Sequence, residues 1–229
     1  MGNNICIIPA RGGSKRIPKK NIREFLGKPI IAYSIQAALQ SNLFAEVMVS
    51  TDDDEIIDIA ERYGANVPFK RSAATADDNA TTAEVVLEVL GMYESKGYHY
   101  ENICCVYPCA PFITSDNLME SYSRLMKKNL DGIFPVVAFN FPVQRALKIE
   151  GDLVGFCYPE FSLTRSQDLE KVYHDAGQYY WINNKAFKRD NAIVTVNCGA
   201  IIISEMEAQD IDNEIDWKLA EMKFQFLRK

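Results

Sequence analysis

Histidine is scarce in this 229-residue chain: only His99 and His174 are present, and none of the six cysteines is spaced C-x-x-C. A zinc framework is therefore not expected. The cysteines (Cys6, Cys104, Cys105, Cys109, Cys157 and Cys198) fall mostly in apolar, strand-like segments and read as reduced core thiols, not as disulfides. Long hydrophobic runs are missing too; Ile201-Ile202-Ile203 is typical of the longest, far too short to cross a bilayer, so no membrane partner is expected. Met1 to Asn4 lacks the charged start and apolar stretch of a signal peptide, and Cys6 stands where a myristoylation motif wants Ser or Thr. The expectation is a cytoplasmic protein. There is no basic excess either, since the net charge is −6, which argues against general nucleic-acid affinity. Low-complexity segments are absent, and 48% apolar residues suffice for one large core, so residues 1–229 are expected to form a single domain.

Against this acidic background one segment stands out. The apolar run ending Ile7-Ile8-Pro9 leads into Ala10-Arg11-Gly12-Gly13-Ser14-Lys15-Arg16-Ile17-Pro18-Lys19-Lys20-Asn21. Five cations within ten residues do not enter a core. Two glycines remove Cβ atoms that would hold a ligand away, and backbone N–H groups can then converge on an anion. A polyphosphate is the natural ligand. The loop is not a P-loop, because no Gly-Lys-Ser/Thr ends it, and it lacks the G-x-G-x-x-G spacing of a dinucleotide fingerprint.

Strand and helix patterns alternate through the first two thirds. Ile5–Pro9, Glu46–Thr51, Ile103–Tyr107 and Gly132–Val137 read as strands; Ile31–Ser41, Asp52–Tyr63, Thr81–Lys96 and Ser115–Asn129 read as helices. Gly64 reads as the stop of the second helix. This order predicts an α/β fold: a Rossmann-like, mostly parallel sheet flanked by helices, with ligands at the carboxyl ends of its strands. From 138 to 188 aromatics are dense and no helical period is visible, so this stretch is expected to leave the sheet as an insert that buries itself against a partner subunit, the alternative being a subdomain that caps its own monomer. A core strand resumes at Gly199–Ile203, and Asp216–Arg228 reads as the closing helix.

Ala10-Arg11-Gly12-Gly13-Ser14-Lys15, with Pro18, Lys20 and Asn21, resembles the nucleotide-binding signature of the CMP-sialic acid synthetases and their relatives. Val49-Ser50-Thr51-Asp52-Asp53, Arg71 with Asp77-Asp78-Asn79-Ala80-Thr81-Thr82, and Asp210-Ile211-Asp212-Asn213-Glu214-Ile215-Asp216 are similar to later blocks of that family, in order along nearly the whole chain. Tyr107-Pro108-Cys109-Ala110-Pro111-Phe112, Thr164-Arg165-Ser166-Gln167-Asp168-Leu169 and His174-Asp175-Ala176-Gly177-Gln178-Tyr179-Tyr180-Trp181 look most like the pseudaminic acid cytidylyltransferases, a branch serving flagellin and surface glycans in bacteria.

The resemblance implies a nucleotide-diphospho-sugar transferase-like fold and transfer of CMP from CTP to the anomeric hydroxyl of a nine-carbon 2-keto acid sugar, with pyrophosphate released. Pseudaminic acid is the first choice; legionaminic, sialic or 3-deoxy-octulosonic acid, or an inactive nucleotide-binding partner protein, are the alternatives. It implies a triphosphate site of Arg11 and Lys20, the two catalytic candidates, with Ala10, Gly12, Gly13, Ser14, Lys15 and Asn21. Arg71, Asn79 and Thr82 are expected at the nucleoside, although Thr82 and Thr81 could equally cap a helix. The sugar is expected at Tyr107, Cys109 (a Thr in close relatives), Ala110, Arg165, Gln167, His174 and Gln178. Arg165 could meet a carboxylate or merely pair with Asp168, and His174 could be structural. Asp210 and Asp212, two apart, put both carboxylates on one side of an extended segment and suit Mg²⁺; Glu214 and Asp216 read as helix-start acids. A homodimer joined through 138–188 completes the expectation.

Overall fold

The computed structural model describes residues 3–77 and 79–228. Met1, Gly2 and Asp78 of the predicted nucleotide block lie outside them. A seven-stranded sheet forms the centre. Strand β1 (Asn4–Pro9) opens the chain, followed by the tiny pair β2 (Glu24–Phe25) and β3 (Lys28–Pro29), helix α1 (Ile31–Ser41), β4 (Glu46–Ser50), α2 (Asp54–Arg62), the short α3 (Ala73–Ala76) and α4 (Thr82–Ser95). Then come β5 (Asn102–Val106), α5 (Ser115–Lys127), β6 (Gly132–Ala138), the hairpin β7 (Leu147–Glu150) and β8 (Leu153–Phe156), β9 (Tyr173–Asp175), β10 (Tyr179–Asn183), α6 (Asn184–Asp190), β11 (Cys198–Ile202) and α7 (Glu214–Leu227).

The sheet order is β11-β6-β10-β5-β1-β4, with β9 also on β6. β1 runs parallel to β4 and β5, and β11 parallel to β6, while β9 and β10 run antiparallel to their neighbours. Alternation along β1 explains the layers. Cys6 and Ile8 face one core with Ile31 and Ile35 of α1, Ile56 of α2 and Leu118 of α5; Ile5 and Ile7 face another with Val86 and Leu90 of α4 and Phe187 of α6.

Local signals end the helices where expected. The Asp53 side chain accepts from the N–H groups of Glu55 and Ile56 at the start of α2. Gly64, at φ +94°, closes it as Ala65 N–H reaches back to the Ala60 carbonyl. Thr81 and Glu84 form a capping box at α4, and Asn213 and Asp216 form another at α7.

The expected excursion over 138–188 needs correction. The chain leaves the sheet after Ala138 but returns at Tyr173, and Tyr179–Asn183 lies in the middle of the sheet between β5 and β6. Tyr179 and Trp181 turn to the α1/α5 side, Tyr180 and Ile182 to the α4 side, all buried. Aromatic side chains here do the work usually given to Val and Ile; the apolar run Tyr-Tyr-Trp-Ile between Gln178 and Asn183 was the available signal. What protrudes is 139–172, built on the β7–β8 hairpin.

Candidate active site

Two cavities open side by side where the sheet order reverses, at the carboxyl ends of β1 and β5. The larger, about 400 Å³, is walled by the cationic loop, Tyr107-Pro108-Cys109, Gly177 and the segment Gln209–Asp212. The smaller, about 230 Å³, is walled by Arg71, Thr75, Asp77, Ala80, Thr82 and Val85. Pro9, Arg11 and Tyr107 belong to both walls.

Two features hold the loop over the larger cavity. Ile17, fully buried amid the cations, packs in a small core with Phe25, Tyr33, Ile211, Trp217 and Phe224. That core ties the loop to the start of α7, and Arg23 reinforces it by a double hydrogen bond to Glu214 (2.5 and 3.0 Å) while lying 4.4 Å over the Trp217 ring. The acidic segment therefore faces the loop. Ile211 points into the core, and its flanking Asp210 and Asp212 both line the cavity, as their spacing predicts. Asp212 Oδ1 stands 2.8 Å from Arg16 and 3.9 Å from Lys20 Nζ, which also donates to the Ile211 carbonyl. Arg11, Lys15, Arg16 and Lys20 thus share one wall system with two carboxylates. Glu214 and Asp216 serve α7: the first pairs with Arg23, and the second accepts from Asp212 and Asn213 N–H.

Other predicted residues take supporting places. Asn21 lines the cavity but spends its polar atoms inside the protein: Nδ2 donates to the Arg11 carbonyl (2.9 Å), and Oδ1 accepts from the Cys109 thiol (3.2 Å). Gly12 is needed for a different contact from the one expected. A Cβ there would stand 2.6 Å from the Asp53 carboxylate, and its N–H already donates to Asp52 (3.0 Å). Gly12, Gly13 and Ala10 are therefore not among the residues lining either cavity, whereas Ser14 and Lys15 are. Arg11 Nη1 donates to the Asp77 carbonyl (2.7 Å) across the smaller chamber. Arg71 is buried, its Nε and Nη2 donating to Ser50 Oγ and O (3.1 and 2.8 Å). Burial lowers its pKa, opposed by Asp52 and Glu88. Thr81 takes the capping role, which leaves Thr82 to line the chamber with its hydroxyl 3.4 Å from that of Tyr107. Asn79 is exposed in the turn made by Asp77.

The sugar candidates divide. Tyr107 and Cys109 line the larger cavity; Ala110 is buried behind them, and the side chain of Gln178 is turned to the Glu207 carbonyl. Arg165, Gln167 and His174 are not brought to this cavity. Arg165 pairs with Asp168 (2.7 Å), Gln167 lines a separate pocket under the arm, and the His174 ring packs on Phe139. Arg16, Gly177 and Gln209 line the cavity without having been singled out. Gly177 offered a signal, a glycine two residues before the apolar run Tyr179–Ile182.

Cysteine chemistry follows from the same geometry. Burial pushes the Cys109 thiol up to about 12, opposed by nearby Lys20 and raised further by Asp210. The thiolate, the reactive form, is thus scarce at pH 8 and grows only as pH approaches that value. Cys6, Cys104 and Cys105 are buried, whereas Cys157 is exposed on the arm. In the native protein at pH 8, Cys157 is expected to react with a thiol reagent well before Cys109. Peptide mapping after a timed iodoacetamide pulse checks this, and prior labelling of Cys109 would contradict it.

The sequence profile of a cytidylyltransferase family matches residues 5–223. The chain is 39% identical to a pseudaminic acid cytidylyltransferase of Campylobacter jejuni over 96% of both chains. It is 31% identical to a CMP-N,N'-diacetyllegionaminic acid synthase of Legionella pneumophila, over 95% of this chain and 94% of that one. Among solved structures, a CMP:2-keto-3-deoxy-manno-octonic acid synthetase complexed with CTP superposes with TM-score 0.72 at 15% identity, covering 99% of each chain. A 4-diphosphocytidyl-2C-methyl-D-erythritol synthase of Anaerococcus prevotii does so with TM-score 0.66 at 16% identity, covering 98% of this chain and 99% of that one. The profile match and the sequence relatives, acting on a cleft of this construction, leave one assignment: the chain belongs to the cytidylyltransferase family.

Proposed function

We propose that the enzyme transfers CMP from CTP to the anomeric hydroxyl of pseudaminic acid. The observation that carries the reading is the meeting of four cations and two carboxylates around the larger cavity, beside a second chamber that shares Arg11 and Tyr107. The similarity to pseudaminic acid cytidylyltransferases supports the choice of sugar.

The sugar hydroxyl gives up its proton to water as its oxygen bonds to the α-phosphorus, and the bond from that phosphorus to the oxygen bridging the β-phosphate breaks, so pyrophosphate leaves. Charge gathers on phosphoryl oxygens and leaving group, so the protein contributes positioning and electrostatic stabilisation. Arg11 and Lys20 neutralise the triphosphate, Arg11 with a planar fork and Lys20 as a point charge, while Asn21 braces the loop through the Arg11 carbonyl. Arg71, Thr82 and the turn at Ala80 receive the nucleoside in the smaller chamber. Tyr107, Cys109 and Gly177 receive the sugar.

Asp210 and Asp212 fit Mg²⁺. Both line one cavity, and a pair of carboxylates suits an ion that takes its other ligands from phosphate and water. When bound there, the ion supplies positive charge to phosphate oxygens.

We read the working unit as a homodimer in the cytoplasm. The arm exposes Phe141, Ile149, Leu153 and Leu163 at 86, 74, 77 and 96%, four large apolar side chains on one projecting segment. A second copy laid on the arm would bury it. Because Arg165 and Gln167 lie away from their own protomer's cavity, any sugar contact they make falls across that interface.

Pyrophosphate release from CTP and Mg²⁺, measured against pseudaminic, legionaminic, sialic and 3-deoxy-octulosonic acids, tests the reading. Turnover of pseudaminic acid at least about tenfold above the others is expected. Asp212→Ala is expected to abolish turnover while CTP still binds. Preference for another sugar would overturn the specificity, and silence across the panel with CTP bound would favour an inactive nucleotide-binding protein.

A further inference from the structure

β9 and β10 both pair with β6, at 136–138 and at 132–133, and would be one strand but for the break at Ala176-Gly177-Gln178. Strand interruptions beside a cleft re-aim the chain, and a glycine is favoured here because Gly177 sits at φ +63°. The break puts Gly177 on the wall of the larger cavity. One carboxylate holds it. Asp175 Oδ1 accepts the Gly177 N–H (2.8 Å), and Asp175 Oδ2 accepts the Tyr180 hydroxyl (2.6 Å). The buried Tyr180 ring stands 5.4 Å from that of Tyr107 and 5.5 Å from that of Phe134. Tyr107 in turn belongs to the walls of both chambers; its N–H donates to the Gln178 carbonyl (2.8 Å), and its carbonyl accepts from the Ser34 hydroxyl (2.8 Å). Asp175 is not among the cavity's lining residues.

We propose that Asp175 is a positioning residue for the acceptor sugar: by holding Gly177 N–H and Tyr180 O–H on its two oxygens, it sets the cavity wall made by Gly177 and Tyr107. This rests on the sugar occupying the larger cavity in cytidylyl transfer. A carboxylate suits the task because bonds to an ionised acceptor are about twice as strong as neutral ones, and because it offers two oxygens to two donors. Without it the Tyr180 hydroxyl loses this acceptor in a largely enclosed place, and the glycine turn loses its tether. The Gly177 and Tyr107 surfaces then move together, whereas the nucleotide loop, tied to α7 through Ile17 and Arg23, does not depend on this carboxylate.

The test compares Asp175→Ala, Asp175→Asn, Tyr180→Phe and the double variant Asp175→Ala/Tyr180→Phe with the parent enzyme in pyrophosphate release, varying pseudaminic acid and CTP separately. Loss of hydrogen bonds to a charged group is expected to raise the KM for the sugar about tenfold in Asp175→Ala. The KM for CTP should rise less, by no more than about threefold, because of the two surfaces that Asp175 sets only Tyr107 borders the smaller chamber, and kcat should stay within about twofold, a split that general structural damage would not give. Tyr180→Phe should reproduce most of the rise, the double variant should add little, and Asp175→Asn, which keeps acceptor capacity, should fall between. An unmoved sugar KM in Tyr180→Phe would overturn the proposal, as would parallel losses in both KM values and kcat. If Asp175→Ala fails to fold by circular dichroism, the Asn and Phe variants decide alone. A parent enzyme that turns over no sugar would instead refute the proposed function, whereas a fully active parent with unaffected variants refutes only the role of Asp175.

Discussion

Lys20→Ala is expected to lower kcat/KM by about a thousandfold, since removal of one preorganised charge at the site of developing negative charge costs 10² to 10³ in rate. Lys20 is largely shielded, its ammonium donates to the Ile211 carbonyl, and it lies 3.9 Å from Asp212, so it stands where loop and acidic segment meet. Arg16 also reaches Asp212, but its side chain is 69% exposed, and a screened, mobile cation is a poor replacement. Lys20→Arg should recover only part of the activity, because a planar fork does not occupy the space of a compact ammonium. Folding should be little affected, the single lost hydrogen bond being worth about 1 kcal/mol. Steady-state pyrophosphate release together with thermal unfolding separates these outcomes. A fall of less than about tenfold would remove Lys20 from the triphosphate site.

Trp217→Ala carries the largest expected effect on stability. The indole is 2% exposed, packs edge-on to Phe25 at 5.6 Å between ring centroids, supports Arg23 on its face, and donates from Nε1 to Glu221 (3.1 Å). Truncating a buried tryptophan costs about 3 to 5 kcal/mol, which for a chain of this length is a melting-point drop of about 6 to 20 °C. Activity should fall even at temperatures where the protein stays folded. The same small core contains Ile17 of the cationic loop and Ile211 of the acidic segment, so a hole at Trp217 loosens both sides of the larger cavity. Trp217→Phe keeps the edge-on packing and should lose less than half as much. Calorimetry with activity measured well below the transition checks both; a variant that melts normally would show that α7 is not held by this residue.

The cationic loop was legible because its charges and glycines are consecutive, and local composition alone says that such a segment cannot be core. The Asp210/Asp212 pair was legible for a similar reason: alternation in an extended segment is a short-range rule, and the buried Ile211 between them obeys it. The aromatic strand Tyr179–Asn183 was missed because its neighbours β5 and β6 come from distant parts of the chain, and burial on both faces erases the alternation that marks a strand.

The sequence by itself determined the alternating elements, the cationic character of residues 11–20 and the helix caps, all set by interactions spanning a few residues. Only the tertiary structure decided which of those groups face one another. It spent Asn21 on Cys109 and Arg11, turned Gly12 toward Asp53, moved Arg165 and Gln167 onto an arm, and brought Asp175 beneath Tyr180. Those pairings depend on strand order and on the packing of a shared core around Ile17 and Trp217, contacts between residues up to two hundred positions apart that no local pattern encodes.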